Sequence, residues 1–226
     1  MKYTISFISF AIILMFSACA TYKKQTTKKP LSIETTNQKA VDYSFYLIGD
    51  AGKNLANKNN PVSMALKTEL DKDQNSSVLF LGDNIYPKGM PKKKSKNRSN
   101  AEKALDAQLA VVKDFKGKVI FIPGNHDWYN GLSGLKREAN YIEKALNNKK
   151  VFFPSKGCPI DDIKINDHIS MIAIDSQWFL EDWNKQPTIN DNCSIKTRED
   201  FFLELESLLK KNEGKTTLIA IHHPNV

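Results

Sequence analysis

Five apolar runs punctuate the chain, and each stops at a small, acidic or histidine residue. They are Ser44–Asp50 (SFYLIGD), Ser77–Asp83 (SVLFLGD), Lys118–Asp127 (KVIFIPGNHD), Ile169–Ser176 (ISMIAIDS) and Thr216–Pro224 (TTLIAIHHP). Their length and near-continuous apolar character predict buried strands. Between them, apolar residues recur at helical spacing over 62–70, 100–115, 134–148 and 198–211. Pro61 stands just ahead of the first as a helix-start signal. Strands of this kind alternating with helices predict an α/β layered domain whose sheets are covered on both faces. No internal repeat is present.

In open α/β sheets, ligands gather beyond the carboxyl ends of the strands. Here those ends supply Asp50, Asp83, Asn84, Asn125, His126, Asp127, His222 and His223. Each alone is ordinary turn chemistry, because Asp and Asn are common after strands. Four such ends in one domain point to a site. Carboxylate, amide oxygen and imidazole together suit hard or borderline cations such as Fe, Zn or Mn, and a carboxylate between two cations can bridge them. Neither GxGxxG nor GxxxxGK occurs, so the nucleotide-cradling loops are missing.

Charge and the N-terminus narrow the class. Of the 226 residues, 41% are hydrophobic and 26% charged, ordinary globular proportions, with a net charge of +8. Residues 1–40 carry +5 and residues 88–98 carry +6, which leaves the rest of the chain at −3. A basic tail and one lysine-rich loop are not the broad basic face that nucleic acid requires, so no nucleic-acid partner is expected. That loop (Lys92, Lys93, Lys94, Lys96, Arg98) reads as a solvated segment, placed soon enough after Tyr86 to draw anionic substrates toward the site.

Lys2 precedes a twelve-residue apolar stretch, Ile5–Phe16, too short to span a bilayer and suited to a signal-peptide core. Phe16-Ser17-Ala18-Cys19 resembles a bacterial lipobox, which would make Cys19 a lipid anchor to the membrane. Ala18-Cys19-Ala20 also fits ordinary secretory cleavage, and either way the mature chain is exported to the cell envelope. The expected organisation is a signal peptide over 1–19, a polar tether over 20–42 and a domain over 43–226. Cys158 and Cys193 remain as a pair that an oxidising compartment would allow to join.

Gly49-Asp50-Ala51-Gly52, Gly82-Asp83-Asn84-Ile85-Tyr86, Gly124-Asn125-His126-Asp127 and the strand ending His222-His223-Pro224 resemble the motifs of the calcineurin-like metallophosphoesterases, and within them the purple acid phosphatase-like branch. Most of that superfamily has histidine where this chain has Gly52. The purple acid phosphatases share the change and compensate with a tyrosine, here Tyr86.

The resemblance implies an αββα sandwich and two metal ions, Fe(III) with Fe, Zn or Mn. Asp50 and Tyr86 would bind the first, Asp83 would bridge, and Asn125 and His222 would bind the second. His126 would face the leaving-group oxygen, with Asp127 orienting it, and Asn84 and His223 would lie in the surroundings or face substrate. The implied reaction is phosphomonoester hydrolysis by attack of a metal-bound hydroxide; the rival is a non-catalytic, envelope-tethered binding module that keeps the fold. The family's last motif, Gly-His-x-His, does not occur in the chain. The expectation is therefore a domain incomplete at its C-terminal part, with weakened metal binding and poor turnover.

Overall fold

The computed structural model describes residues 40–54 and 60–223. The export segment and most of the tether expected from the sequence lie outside those residues. From Ala40 on, an exposed lead-in reaches β1 (Ser44–Ile48), followed by α1 (Ala51–Asn54), α2 (Pro61–Lys72), β2 (Ser76–Leu81), α3 (Arg98–Val112), β3 (Lys118–Ile122), α4 (Asn125–Trp128) and α5 (Gly131–Ala145). The second half runs β4 (Ile160–Lys164), β5 (Ile169–Ile174), α6 (Ser176–Leu180), α7 (Arg198–Lys211) and β6 (Thr216–Ile221).

Local chemistry sets the helix ends. Pro61 occupies the first turn of α2, and the Asn60 side chain accepts from Val62 N at 2.8 Å. At α7, the Thr197 hydroxyl accepts from Asp200 N while the Asp200 carboxylate accepts from Thr197 N, a reciprocal capping box. The strong helical signal over 198–211 thus has a cap to start it.

Among the described residues, two three-stranded sheets form, in orders β1-β2-β3 and β4-β5-β6. The first is wholly parallel; in the second, β4 is antiparallel to β5 and β5 is parallel to β6. Side chains alternate across each strand, and the alternation defines the layers. Leu79, Ile120 and Ile122 of the first sheet pack with Ile163, Met171, Ala173 and Ala220 of the second, forming an apolar seam between sheets. Their neighbours Val78, Phe80, Phe121, Ile172 and Ile174 face the other way into the larger core beneath the helices. The α/β reading therefore holds, and its layers are helix, sheet, sheet, helix.

β4 has no counterpart among the strands expected from sequence. Its residues, Ile-Asp-Asp-Ile-Lys, are polar at three of five positions and neither alternate nor run apolar. It is a strand because it pairs with β5, with Ile160 opposite Ile174 and Lys164 opposite Ser170.

Parallel pairing has one consequence for chemistry. β1, β2 and β3 all end at the same edge of their sheet, as do β5 and β6 in theirs. A hydrogen bond from His222 Nδ1 to Leu81 O at 2.7 Å ties those two edges together.

Candidate metal and phosphoester site

The first strand end turns sharply. Asp50 (φ 54°) and Asp83 (φ 55°) both lie in the left-handed region, which disfavours side-chain-bearing residues. Strain of this kind costs about 1–3 kcal/mol per residue and persists only where the surroundings impose it. The turns aim both carboxylates at one hydroxyl. Tyr86 Oη lies 2.6 Å from Asp50 Oδ1 and 2.6 Å from Asp83 Oδ2.

A phenol has one proton to give, so only one of those contacts can be its hydrogen bond. The second brings two oxygen atoms together and calls for another proton or a cation. Burial, followed by the hydrogen bonds to Asp50 and Asp83, holds the phenol well above its ordinary titration range. A cation seated among the three oxygens would satisfy all of them, and a phenolate is a hard, anionic donor suited to ferric iron.

Asp83 turns its other oxygen elsewhere. Its carboxylate is nearly buried, at 3% exposure, and Oδ1 accepts from the His126 backbone N–H at 2.9 Å. His222 Nε2 stands 3.5 Å from that same Oδ1. Since a carbonyl can only accept, His222 Nδ1 carries the proton donated to Leu81 O, and in the neutral ring Nε2 presents a lone pair to a carboxylate. Metal-binding imidazoles are commonly fixed in this way through their other nitrogen. Asn125 fits the same logic: its amide Nδ2 donates to Tyr129 Oη at 2.6 Å, which leaves the amide oxygen free. Asp50, Tyr86, Asp83, Asn125 and His222 are thus residue types that could hold hard or borderline cations. Among the described residues no three His, Cys, Asp or Glu side chains converge as a metal cluster. The set instead draws on a phenol and an amide, donors outside those four residue types.

His126 packs between two aromatic rings, with centroids 4.1 Å from Tyr86 and 4.8 Å from Tyr129. Its Nδ1 donates to Pro87 O at 2.7 Å, and Nε2 faces Asp83 Oδ2 at 3.9 Å. The residue orienting His126 is therefore Pro87, through its carbonyl.

Asp127, expected to do this, has a different task. It is fully buried and accepts backbone N–H bonds from Gly124 (2.8 Å), Asn84 (3.2 Å) and Ile85 (3.0 Å). It stitches the second motif to the third and cannot reach a substrate. Burial raises both its carboxyl and that of neighbouring Glu138 above the usual carboxyl range, with the charge of Asp127 adding to the effect on Glu138.

Asn84 belongs to the same buried layer, its amide donating to Ile122 O and toward Glu138 and Asp127. It supports the site from beneath and does not face substrate. His223 sits beside His222, its ring 4.8 Å away and nearly perpendicular; its Nδ1 is 2.7 Å from Ser176 Oγ. Burial, and then the neighbouring His222, lower its titration.

Two close approaches explain why glycines stand here. A Cβ on Gly52 would lie 2.4 Å from the Asn84 carbonyl carbon and oxygen, and one on Gly124 would lie 2.3 Å from Asp83 Oδ1. Gly52 is thus not an empty histidine position. The backbone of residues 84–85 fills the space a side chain at 52 would need. Tyr129, Pro87 and Ser176 escaped sequence reasoning. Only the i, i+4 spacing of Asn125 and Tyr129 offered a signal, since backbone carbonyls leave none.

The family model for the calcineurin-like phosphoesterases matches residues 43–226. The chain belongs to the calcineurin-like phosphoesterase family. Its activity class is therefore phosphoric ester hydrolysis, and members of the family generally bind two metal ions. No curated protein matches the chain. For this phosphoesterase, the described strand-end residues Asp50, Asp83, Tyr86, Asn125, His126, His222 and His223 form the candidate active-site rim.

Proposed function

We propose that this phosphoesterase is an exported, lipid-anchored hydrolase of phosphomonoesters of the purple acid phosphatase-like branch, working with two metal ions. The observation that carries the reading is the single phenol, Tyr86, set 2.6 Å from both Asp50 and Asp83. Asp50, Tyr86 and Asp83 would hold the first cation, with iron favoured by the phenolate, and Asp83, Asn125 and His222 the second, as Fe, Zn or Mn. A bound pair of cations supplies an activated water and neutralises the charge on the phosphoryl oxygens.

The chain's own residues do the rest. His126, clamped by Tyr86, Tyr129 and Pro87, would act through Nε2 as proton donor to the leaving-group oxygen. The carbonyls of Pro87 and Leu81 hold the His126 and His222 rings in place, which limits reorganisation when substrate arrives.

Export is supported by the Ile5–Phe16 stretch with Cys19, and by the bond between Cys158 and Cys193, whose Cα atoms are 5.5 Å apart. No described helix is long and apolar enough to cross a membrane. Hydrolysis of p-nitrophenyl phosphate and of bis(p-nitrophenyl) phosphate by the metal-loaded chain tests the substrate class. A preference for the monoester is expected, with His126→Ala losing about a hundredfold in kcat at unchanged metal content. A preference for the diester, or full kcat in His126→Ala, contradicts the reading. For the anchor, Cys19→Ala should move the protein from the membrane fraction to the soluble fraction and abolish labelling by palmitate.

A further inference from the structure

The parallel pairing of β5 with β6 sets Ile174 opposite Ile221, so the residues two places beyond each strand, Ser176 and His223, meet at the same edge. Ser176 is buried, at 1% exposure, and its hydroxyl oxygen makes two bonds to one residue. It lies 3.3 Å from the backbone nitrogen of His223 and 2.7 Å from that residue's ring Nδ1. The backbone N–H must donate, so Oγ accepts there. The hydroxyl has one proton, and a buried hydroxyl that donates to nothing is costly. Nδ1 is its acceptor, which makes Nδ1 the bare nitrogen and leaves the ring proton on Nε2.

The ring geometry then directs that proton. The two imidazole nitrogens point in widely diverging directions, so a ring held at Nδ1 by a buried serine turns Nε2 away from the core. His223 is partly exposed, and the neighbouring His222 fills the side facing Asp83.

Ser176 itself is anchored. Its neighbour Asp175 accepts from Trp178 N at 3.0 Å and from Trp128 Nε1 at 2.8 Å, and Trp128 closes the helix that carries Asn125 and His126. The position of His223 is thereby referenced to the same helix as the rest of the site.

We infer that Ser176 and His223 form a substrate-orienting pair: buried Ser176 fixes the tautomer of His223, whose Nε2–H is the donor to a phosphoryl oxygen of the bound phosphoester. This rests on the phosphomonoesterase reading above. His223 contacts substrate, and Ser176 is a positioning residue acting through it.

Two measurements on the full chain test the pair. Long-range 1H–15N NMR of the histidine rings near pH 7 should show His223 protonated at Nε2 and bare at Nδ1. Ser176→Ala should shift the ring toward a mixture of tautomers. A wild-type ring protonated at Nδ1 overturns the inference without any metal or substrate being involved.

Calorimetric binding of inorganic phosphate to the metal-loaded chain gives the second readout. His223→Phe should weaken binding about tenfold, as expected for one hydrogen bond to a charged oxygen. His223→Gln, which keeps an N–H donor, should recover most of that loss, and Ser176→Ala should fall between. Equal phosphate affinity in wild type and His223→Phe refutes the inference while leaving the phosphoesterase reading intact. No phosphate binding by the loaded wild type would remove both.

Discussion

Placing a methyl group on Gly52 tests whether the missing motif-one histidine is a matter of packing. An alanine Cβ would stand 2.4 Å from the Asn84 carbonyl and 2.6 Å from Ile85 N, about 1 Å inside ordinary contact distance. Relief requires the backbone at 84–85 to shift, but that backbone is held on several sides. Asp127 accepts from both amides, Gln108 Nε2 donates to Asn84 O at 2.8 Å, and Gly52 N donates to Asp83 O at 3.0 Å. Overpacking costs about 1–3 kcal/mol, and each buried hydrogen bond lost adds about 1 kcal/mol. Two disrupted bonds bring the expected loss for Gly52→Ala to about 3–5 kcal/mol. With a urea slope of about 2 kcal/mol per molar, the unfolding midpoint should fall by about 1.5–2.5 M. Gly52→His should be worse and should not gain a metal ligand. An unchanged midpoint in Gly52→Ala, or a stable Gly52→His that binds metal more tightly, would refute the packing argument.

Three further outcomes follow from the same geometry. Asp127→Ala strips the acceptor from three buried backbone N–H groups and should cost about 3–5 kcal/mol of stability in denaturant titration; a fully stable variant that has lost only activity would restore the catalytic role. Cys158→Ser opens a bridge between residues 35 apart and should cost about 4 kcal/mol by loop entropy, with dithiothreitol lowering the wild-type Tm to match; indifference of the wild type to reductant contradicts this. Burial raises Asp175 to about 7 from 3.8, so the folded chain holds a proton that the unfolded chain has released between about pH 4 and pH 7. Stability from this group therefore falls as pH rises through that window and is level above it. Asp175→Asn should flatten that slope in urea titrations run across the window, and an unaltered slope would rule the assignment out.

The sequence carried the frame well because apolar runs are read directly. The five strands expected all formed, and α7 matched its expected span of 198–211. The same runs placed the chemistry, since parallel strands must end on a common edge. What sequence could not carry were interactions set by tertiary pairing. β4 is a strand only because β5 lies beside it, and the four-residue helix at Asn125–Trp128 is too short for any periodicity to register. Asp127 stood beside His126 in sequence, yet on a helical turn neighbouring side chains diverge by about 100°. One side chain therefore went inward as a backbone acceptor while the other faced the rim. The orienting groups at Pro87 and Leu81 are carbonyls, which every residue possesses. Ser176 became relevant only when β6 brought His223 within 2.7 Å of it.

The central claim is that Tyr86 serves as a metal ligand in place of the histidine that Gly52 excludes. Metal content and the visible spectrum of the full chain, after reconstitution with iron and zinc, test it most directly. With both metals in excess, bound iron with a broad visible band from phenolate-to-iron charge transfer is expected, and Tyr86→Phe should lose the band while the fold persists. Bound iron without a band, or a band that survives in Tyr86→Phe, would contradict it.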